Sequence, residues 1–169
     1  DRVQMSAIFN DKIIAARGGT VYYGGTTGSW TSVATSQGVN NTYDFDKFNF
    51  NGTSKIIIAT GEAAAFTIDT SFNVDVINAT GGGTAPTNPK FIKTFANHVF
   101  YGGMSNSTHS ILFSVPFSED NFTSASGAGE IRVGDVVTGL KVFRDELFIF
   151  CQRKIYKLTG TTSTTFALA

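Results

Sequence analysis

The sequence predicts an all-β protein made of β-propeller blades, four four-stranded repeats in tandem. Three observations predict it: a hairpin pattern that recurs four times, a second aromatic that keeps step with it, and a composition suited to short strands and tight turns.

The hairpin pattern is an aromatic, a polar turn and an apolar strand. It begins at Ile8-Phe9-Asn10-Asp11-Lys12-Ile13-Ile14-Ala15 and returns around Phe50-Asn51-Gly52, Phe95-Ala96-Asn97 and Phe143-Arg144-Asp145. Asn, Asp and Gly tolerate the backbone of a two-residue hairpin loop, so each is read as two antiparallel strands. The steps Phe9 to Phe50 to Phe95 to Phe143 are 41, 45 and 48 residues. A third strand follows each hairpin, at Thr20-Val21-Tyr22-Tyr23, Ala65-Phe66-Thr67-Ile68, Ile111-Leu112-Phe113-Ser114 and Lys154-Ile155-Tyr156-Lys157-Leu158.

The second aromatic is Trp30, Phe72, Phe122 or Phe166, and lies 21, 22, 27 or 23 residues after the first. Two markers in step through four units divide the chain into repeats at about 1–39, 40–84, 85–134 and 135–169, within one segment 1–169. One four-stranded sheet cannot bury both its faces, so such units stack face to face with large aromatics between them. All eight aromatics are therefore expected in the core. A β-sandwich gives no reason for the regular period, and a β-helix has a shorter one.

The composition agrees. Sixteen of the 169 residues are Phe and eighteen are Gly, while only 15% are charged. Gly24-Gly25, Gly81-Gly82-Gly83 and Gly102-Gly103 are expected in loops that need positive φ or close chain approach. The third repeat is longest, which predicts extra loops at residues 102–110 and 124–129. The chain begins at Asp1 rather than Met and closes on a strand-like Thr165-Phe166-Ala167-Leu168-Ala169, so a larger polypeptide is expected around it.

Charge and motifs limit the function. Thirteen basic residues balance thirteen acidic ones, whereas a general nucleic-acid binder is clearly basic. No apolar run approaches the ~20 residues that span a bilayer, so no membrane partner is expected. Cys151 has no partner for an intramolecular disulfide and is read as a small buried hydrophobe on a strand.

No catalytic, cofactor or metal site emerges, and no enzyme activity is expected. His98 falls at a strand start. His109 falls in a Ser-rich loop, where a nucleophile partner can be imagined but a solvated histidine is the plainer reading. Asp44-Phe45-Asp46 and Ser118-Glu119-Asp120 offer oxygens to Ca²⁺ but lack an EF-hand pattern, so solvated turn carboxylates are expected. The Gly pairs lack the Gly-Lys-Ser/Thr of a phosphate loop. Five Asn-x-Ser/Thr sequons, at Asn40, Asn51, Asn78, Asn106 and Asn121, follow from a chain rich in those residues. Arg153, Lys154 and Lys157 form a basic cluster that could touch DNA phosphates without reading bases, or guard a strand edge.

Residues 90–160 carry a further pattern: Ser118-Glu119-Asp120-Asn121-Phe122, then Ile131-Arg132-Val133-Gly134, then Thr138-Gly139-Leu140-Lys141-Val142-Phe143-Arg144-Asp145-Glu146-Leu147, then Ile155-Tyr156-Lys157-Leu158-Thr159-Gly160. This run resembles the propeller-bearing tail nozzle or hub proteins of double-stranded DNA bacteriophages. It covers about the last 80 residues; residues 1–89 join only through the repeat. The resemblance implies a structural protein of the virion tail, copies of itself in a ring around the DNA channel, neighbouring tail proteins as partners, and at most non-specific contact with channel DNA. The alternative from another class is a propeller glycosidase or a lectin-like carbohydrate-binding module, which a convergent set of acids at the central opening would favour.

Overall fold

A computed structural model describes residues 2–169 of the chain. Four sheets, each of four sequence-consecutive antiparallel strands in simple order, account for the strands it describes. Sheet I holds β1 (Val3–Phe9), β2 (Lys12–Arg17), β3 (Thr20–Gly24) and β4 (Trp30–Ala34). Sheet II holds β5 (Asp44–Phe50), β6 (Thr53–Ala59), β7 (Phe66–Asp69) and β8 (Val74–Val76). Sheet III holds β9 (Phe91–Phe95), β10 (His98–Met104), β11 (Ser107–Phe113) and β12 (Gly129–Arg132). Sheet IV holds β13 (Val137–Phe143), β14 (Glu146–Cys151), β15 (Ile155–Thr159) and β16 (Ala167–Leu168). These are four β-propeller blades, as the repeat predicts.

The four predicted turns share one geometry. Asn10 and Asp11 have φ of 47° and 58°, Asn51 and Gly52 54° and 83°, Ala96 and Asn97 49° and 63°, Arg144 and Asp145 48° and 59°. Positive φ at both central positions is the type I′ turn, whose twist matches that of the flanking strands. The turn fixes register. The residue before it pairs with the residue after it in all four blades: Phe9 with Lys12, Phe50 with Thr53, Phe95 with His98, Phe143 with Glu146.

Three apolar clusters hold the blades together, and each joins neighbours. The first joins sheets I and II through Met5, Phe9, Ile14, Val21, Ile56, Ile58, Phe66 and Ile68. The second joins sheets II and III through Phe48, Ile57, Ile92, Val99 and Tyr101. The third joins sheets III and IV through Phe95, Phe100, Ile111, Phe113, Leu140, Leu147, Ile149 and Leu158. Among the described residues no such cluster joins sheet IV to sheet I. The blades form an open arc, with β9 lying against both β5 and β13 near the axis.

Two sequence expectations about the third repeat need correction. Residues 102–110 are mostly strand rather than loop: β10 runs to Met104 and β11 starts at Ser107, leaving a two-residue turn. Gly102 and Gly103 lie in β10, where the register slips between Gly102 and Met104. Gly103 takes φ 63°, and a Cβ there would stand 2.9 Å from the Phe91 ring. The glycines thus serve a bulge rather than a loop. Residues 124–129 are a loop, with a 3-10 turn at Ser124–Ser126 ended by Gly127 at φ 101°.

Candidate functional site

The eight marker aromatics have a directional arrangement that the sequence does not reveal. The first aromatic of each blade faces the next blade. Phe9 is buried against sheet II, Phe50 packs in the II–III cluster, and Phe95 is buried against sheet IV. The second aromatic faces the previous blade. Phe72 lies on Tyr23 of sheet I, Phe122 meets Tyr101 within the II–III cluster, and Phe166 packs against Phe95, His98, Phe100 and Phe113 of sheet III.

The same rule sends Trp30 and Phe143 to the two ends of the arc, where no sheet meets them. Trp30 is 46% exposed and Phe143 57%. The expectation that all eight are core residues therefore fails for these two, because no described sheet packs on the outer face of sheet I or of sheet IV. Much of the rest of these faces is apolar, beside Ser6 and Arg17 on sheet I and Lys141 on sheet IV. Sheet I presents Val3, Ile8, Ile13 and Tyr22; sheet IV presents Phe148, Phe150 and Ile155 around a Lys157–Glu146 ion pair of 2.9 Å. Ile8 is 70% exposed and Ile155 63%, values unusual for large aliphatics in a strand.

A second feature is a cleft of about 490 Å³ at the axis, lined by Asp44, Phe45 and Asp46 of β5, Lys93 of β9, and Leu140, Lys141 and Val142 of β13. Both acids are engaged. Asp44 accepts from the Ile92 amide at 2.9 Å and from Lys93 Nζ at 3.1 Å. Asp46 accepts from the Thr94 amide and hydroxyl, each at 2.7 Å. Ile92 and Thr94 stand on the free inner edge of β9, so the two carboxylates satisfy N–H groups that no strand reaches. They are not the solvated turn residues that the sequence predicts; they brace blade III on blade II.

Other carboxylates tie down the connections between blades. Glu62 accepts from the amides of Val39, Asn40 and Asn41 and from both Asn side chains, closing the connection between sheets I and II. Loss of hydration pushes its carboxyl up, but those donors together outweigh it and hold the pKa below the ordinary range. Asp120 accepts from the amides of Asn78, Ala79 and Thr80. Beside it, Gly83 takes φ 82° and a Cβ there would come within 2.3 Å of the Phe122 carbonyl oxygen, the close approach that the Gly run predicts. Asp135 accepts from the Arg153 and Val136 amides, the Arg153 bond foremost in lowering its pKa. Sequence reading missed this role for Glu62 and Asp135, since a single acid in a polar loop carries no signal of the amides it will meet.

His98 is fully buried at the III–IV interface, ringed by Phe100, Phe113 and Phe166. Its Nδ1 stands 2.5 Å from the Ser114 carbonyl oxygen, and its Nε2 has no partner. A carbonyl can only accept, so Nδ1 carries the proton and Nε2 is bare. Burial lowers its pKa, opposed in part by the Ser114 bond. His109 lies on β11 rather than in a loop, exposed, with its Nδ1 3.0 Å from the Thr108 hydroxyl. It lines a shallow recess with Ser107, Ser110 and Arg132. Cys151 is half-buried in the III–IV cluster. Arg153 and Lys154 lie exposed in the β14–β15 connection, beside the start of β13, where the Arg153 amide meets Asp135; Lys154 is 5.9 Å from the Tyr156 ring centre and Lys157 is paired with Glu146.

No family model matches the chain, and no curated protein does. Solved structures share its fold. The structure of BBS1N in complex with ARL6DN superposes with a TM-score of 0.62 at 12% identity, covering 94% of this chain and 48% of that one. A mitotic checkpoint complex chain gives 0.62 at 12%, covering 99% of this chain and 52% of that one. PorZ, a surface component of the Porphyromonas gingivalis type-IX secretion system, gives 0.55 at 10% identity, covering 99% of this chain and 20% of that one. This chain thus spans about half the length of the first two. At such identities the likeness concerns the fold alone.

Proposed function

We propose that the chain is a structural assembly module of a bacteriophage tail, of the nozzle or hub type, contributing blades to a ring around the DNA channel. The observation that carries this reading is where the tail-protein run falls. Residues 90–160 take in the strands of blade III, most of blade IV and the cluster between them. The resemblance is therefore to a packed two-blade unit rather than to an isolated motif. Binding rather than catalysis is also supported at the axis, where Asp44 and Asp46 are committed to β9. Two of the similar structures are described as protein complexes, which suits a scaffold that holds partners. Contacts with neighbouring tail proteins fall to the loop at residues 124–129, and Arg153 and Lys154 supply the exposed cations for channel DNA.

The test is mass spectrometry of purified virions, followed by electron microscopy of particles with residues 124–129 shortened. Detection in the tail, with folding kept but assembly lost in the shortened variant, supports the reading. Absence from virions overturns it.

A further inference from the structure

We propose that the inner edge of β13 is a docking site for an acidic segment of another protein, one that offers two carboxylates on alternate residues of an extended chain (Asp-x-Asp). The site repeats, on blade IV, the way in which Asp44 and Asp46 hold blade III. This inference stands independently of the tail reading.

The type I′ turns give the blades a common register. Counted back from the aromatic before each turn, Ile92, Lys93 and Thr94 of β9 hold the same places as Leu140, Lys141 and Val142 of β13. The residue before a two-residue turn shares its bonds with the residue after it, and strand N–H groups alternate in direction. The Ile92 and Thr94 amides therefore point away from β10, and those of Leu140 and Val142 away from β14. In blade III these donors end on acids. Asp44 accepts from the Ile92 amide at 2.9 Å and from the Lys93 ammonium at 3.1 Å, and Asp46 accepts from the Thr94 amide at 2.7 Å.

Blade IV has the donors without the acids. Asp44 and Asp46 stand six and four residues before Phe50; six and four before Phe95 stand Pro89 and Phe91, which carry no carboxylate. Among the described residues no acceptor meets the Leu140 or Val142 amide, and no acid pairs with the exposed Lys141. Asp44 and Asp46 cannot serve both blades, since both oxygens of each are already bonded to donors of β5 and β9. This pattern is set by blade III, whose four strands are all described, and not by the outer faces of sheets I and IV.

The place is open and of the right size. Leu140, Lys141 and Val142 line the axial cleft of about 490 Å³. The Leu140 and Val142 side chains pack in the III–IV cluster, so the edge of the strand borders the cleft. Their amides, two residues apart on a strand, are about 7 Å apart, the spacing of carboxylates on alternate residues of an extended segment. Lys141 adds the charge that favours a carboxylate over a neutral acceptor.

The probe is the capped peptide acetyl-Thr-Asp-Phe-Asp-Thr-amide, with a control that carries Asn at both acids. Titrated into isotope-labelled protein at low ionic strength, the acidic peptide should shift the Leu140 and Val142 amide protons downfield and saturably. The Ile92 and Thr94 amides, already held by Asp44 and Asp46, should stay in place. The Asn peptide should bind at least about tenfold more weakly, because bonds to a charged acceptor are stronger. Lys141→Ala should weaken the acidic peptide about tenfold and Lys141→Arg should restore it. Both should keep the circular dichroism of the parent, since the side chain is exposed. Equal binding of the two peptides, shifts that miss Leu140 and Val142, or no shift at millimolar peptide each overturn the proposal. None of these outcomes bears on presence in a virion, so the tail reading is judged separately.

Discussion

Phe72 of the second blade lies flat on Tyr23 of the first, their ring centres 4.1 Å apart and their planes 11° from parallel. The contact crosses between blades, so its strength measures blade-to-blade adhesion rather than strand pairing. Replacing both residues in a double-mutant cycle should give a coupling of about 0.5–1.5 kcal/mol. Urea unfolding of the two single variants and the double variant supplies the number. Additive losses would mean that the rings merely share an apolar region.

Asp46 should be worth more than a surface acid. Asp46→Ala leaves the Thr94 amide and hydroxyl without their acceptor on the inner edge of β9. The expected loss is about 1–3 kcal/mol, read by denaturant unfolding. A reversal on adding Thr94→Val would show that the hydroxyl accounts for most of it.

Acid should act in two stages. His98 is held neutral by burial, with its pKa below the ordinary value near 6.5. The unfolded chain takes up a proton near that value while the folded chain does not, so stability falls as pH drops below about 6.5. His98→Phe should remove this first stage. The second stage belongs to Glu62, Asp69 and Asp135, whose carboxyls are depressed in the fold. Their contribution is present above the ordinary carboxylate pKa near 4 and is lost as pH falls through their lower folded values. Melting temperature followed from pH 8 to pH 3 separates the stages, and the lower one should survive in His98→Phe.

Two glycines with positive φ should respond differently to alanine. Gly134, at φ 69°, has nothing within 4 Å of the added Cβ, so Gly134→Ala costs only the backbone strain of about 1–2 kcal/mol. Gly83→Ala adds a clash with the Phe122 carbonyl at 2.3 Å to a similar strain. Its thermal shift should be clearly larger. Equal shifts would indicate that the connection carrying Gly83 moves aside freely.

The blades are legible in the sequence because their signals are local. Asn51-Gly52 and Arg144-Asp145 announce tight turns within a few residues, and the turn then dictates which strand positions face each other. The error over residues 102–110 has the same origin. Ser105, Asn106, Ser107, Thr108 and Ser110 look like loop by composition, yet the strand pairs Met104 with Ser107 and Ser110 with Arg132. What the sequence conceals depends on partners remote along the chain. Asp46 finds Thr94 across 48 residues and Glu62 finds Asn40 across 22. Trp30 looks like any other core aromatic until the fold shows that no described sheet packs on it.

Every sheet is built from four successive strands, and every apolar cluster links a sheet only to its neighbours in the chain. Cooperativity must then pass from blade to blade like tension along a row of links. Within these 169 residues, blades II and III are gripped on both sides and blades I and IV on one. Local opening should start at the outer links, so amide protons of β6 and β10 should outlast those of β2 and β14 in exchange with solvent deuterium.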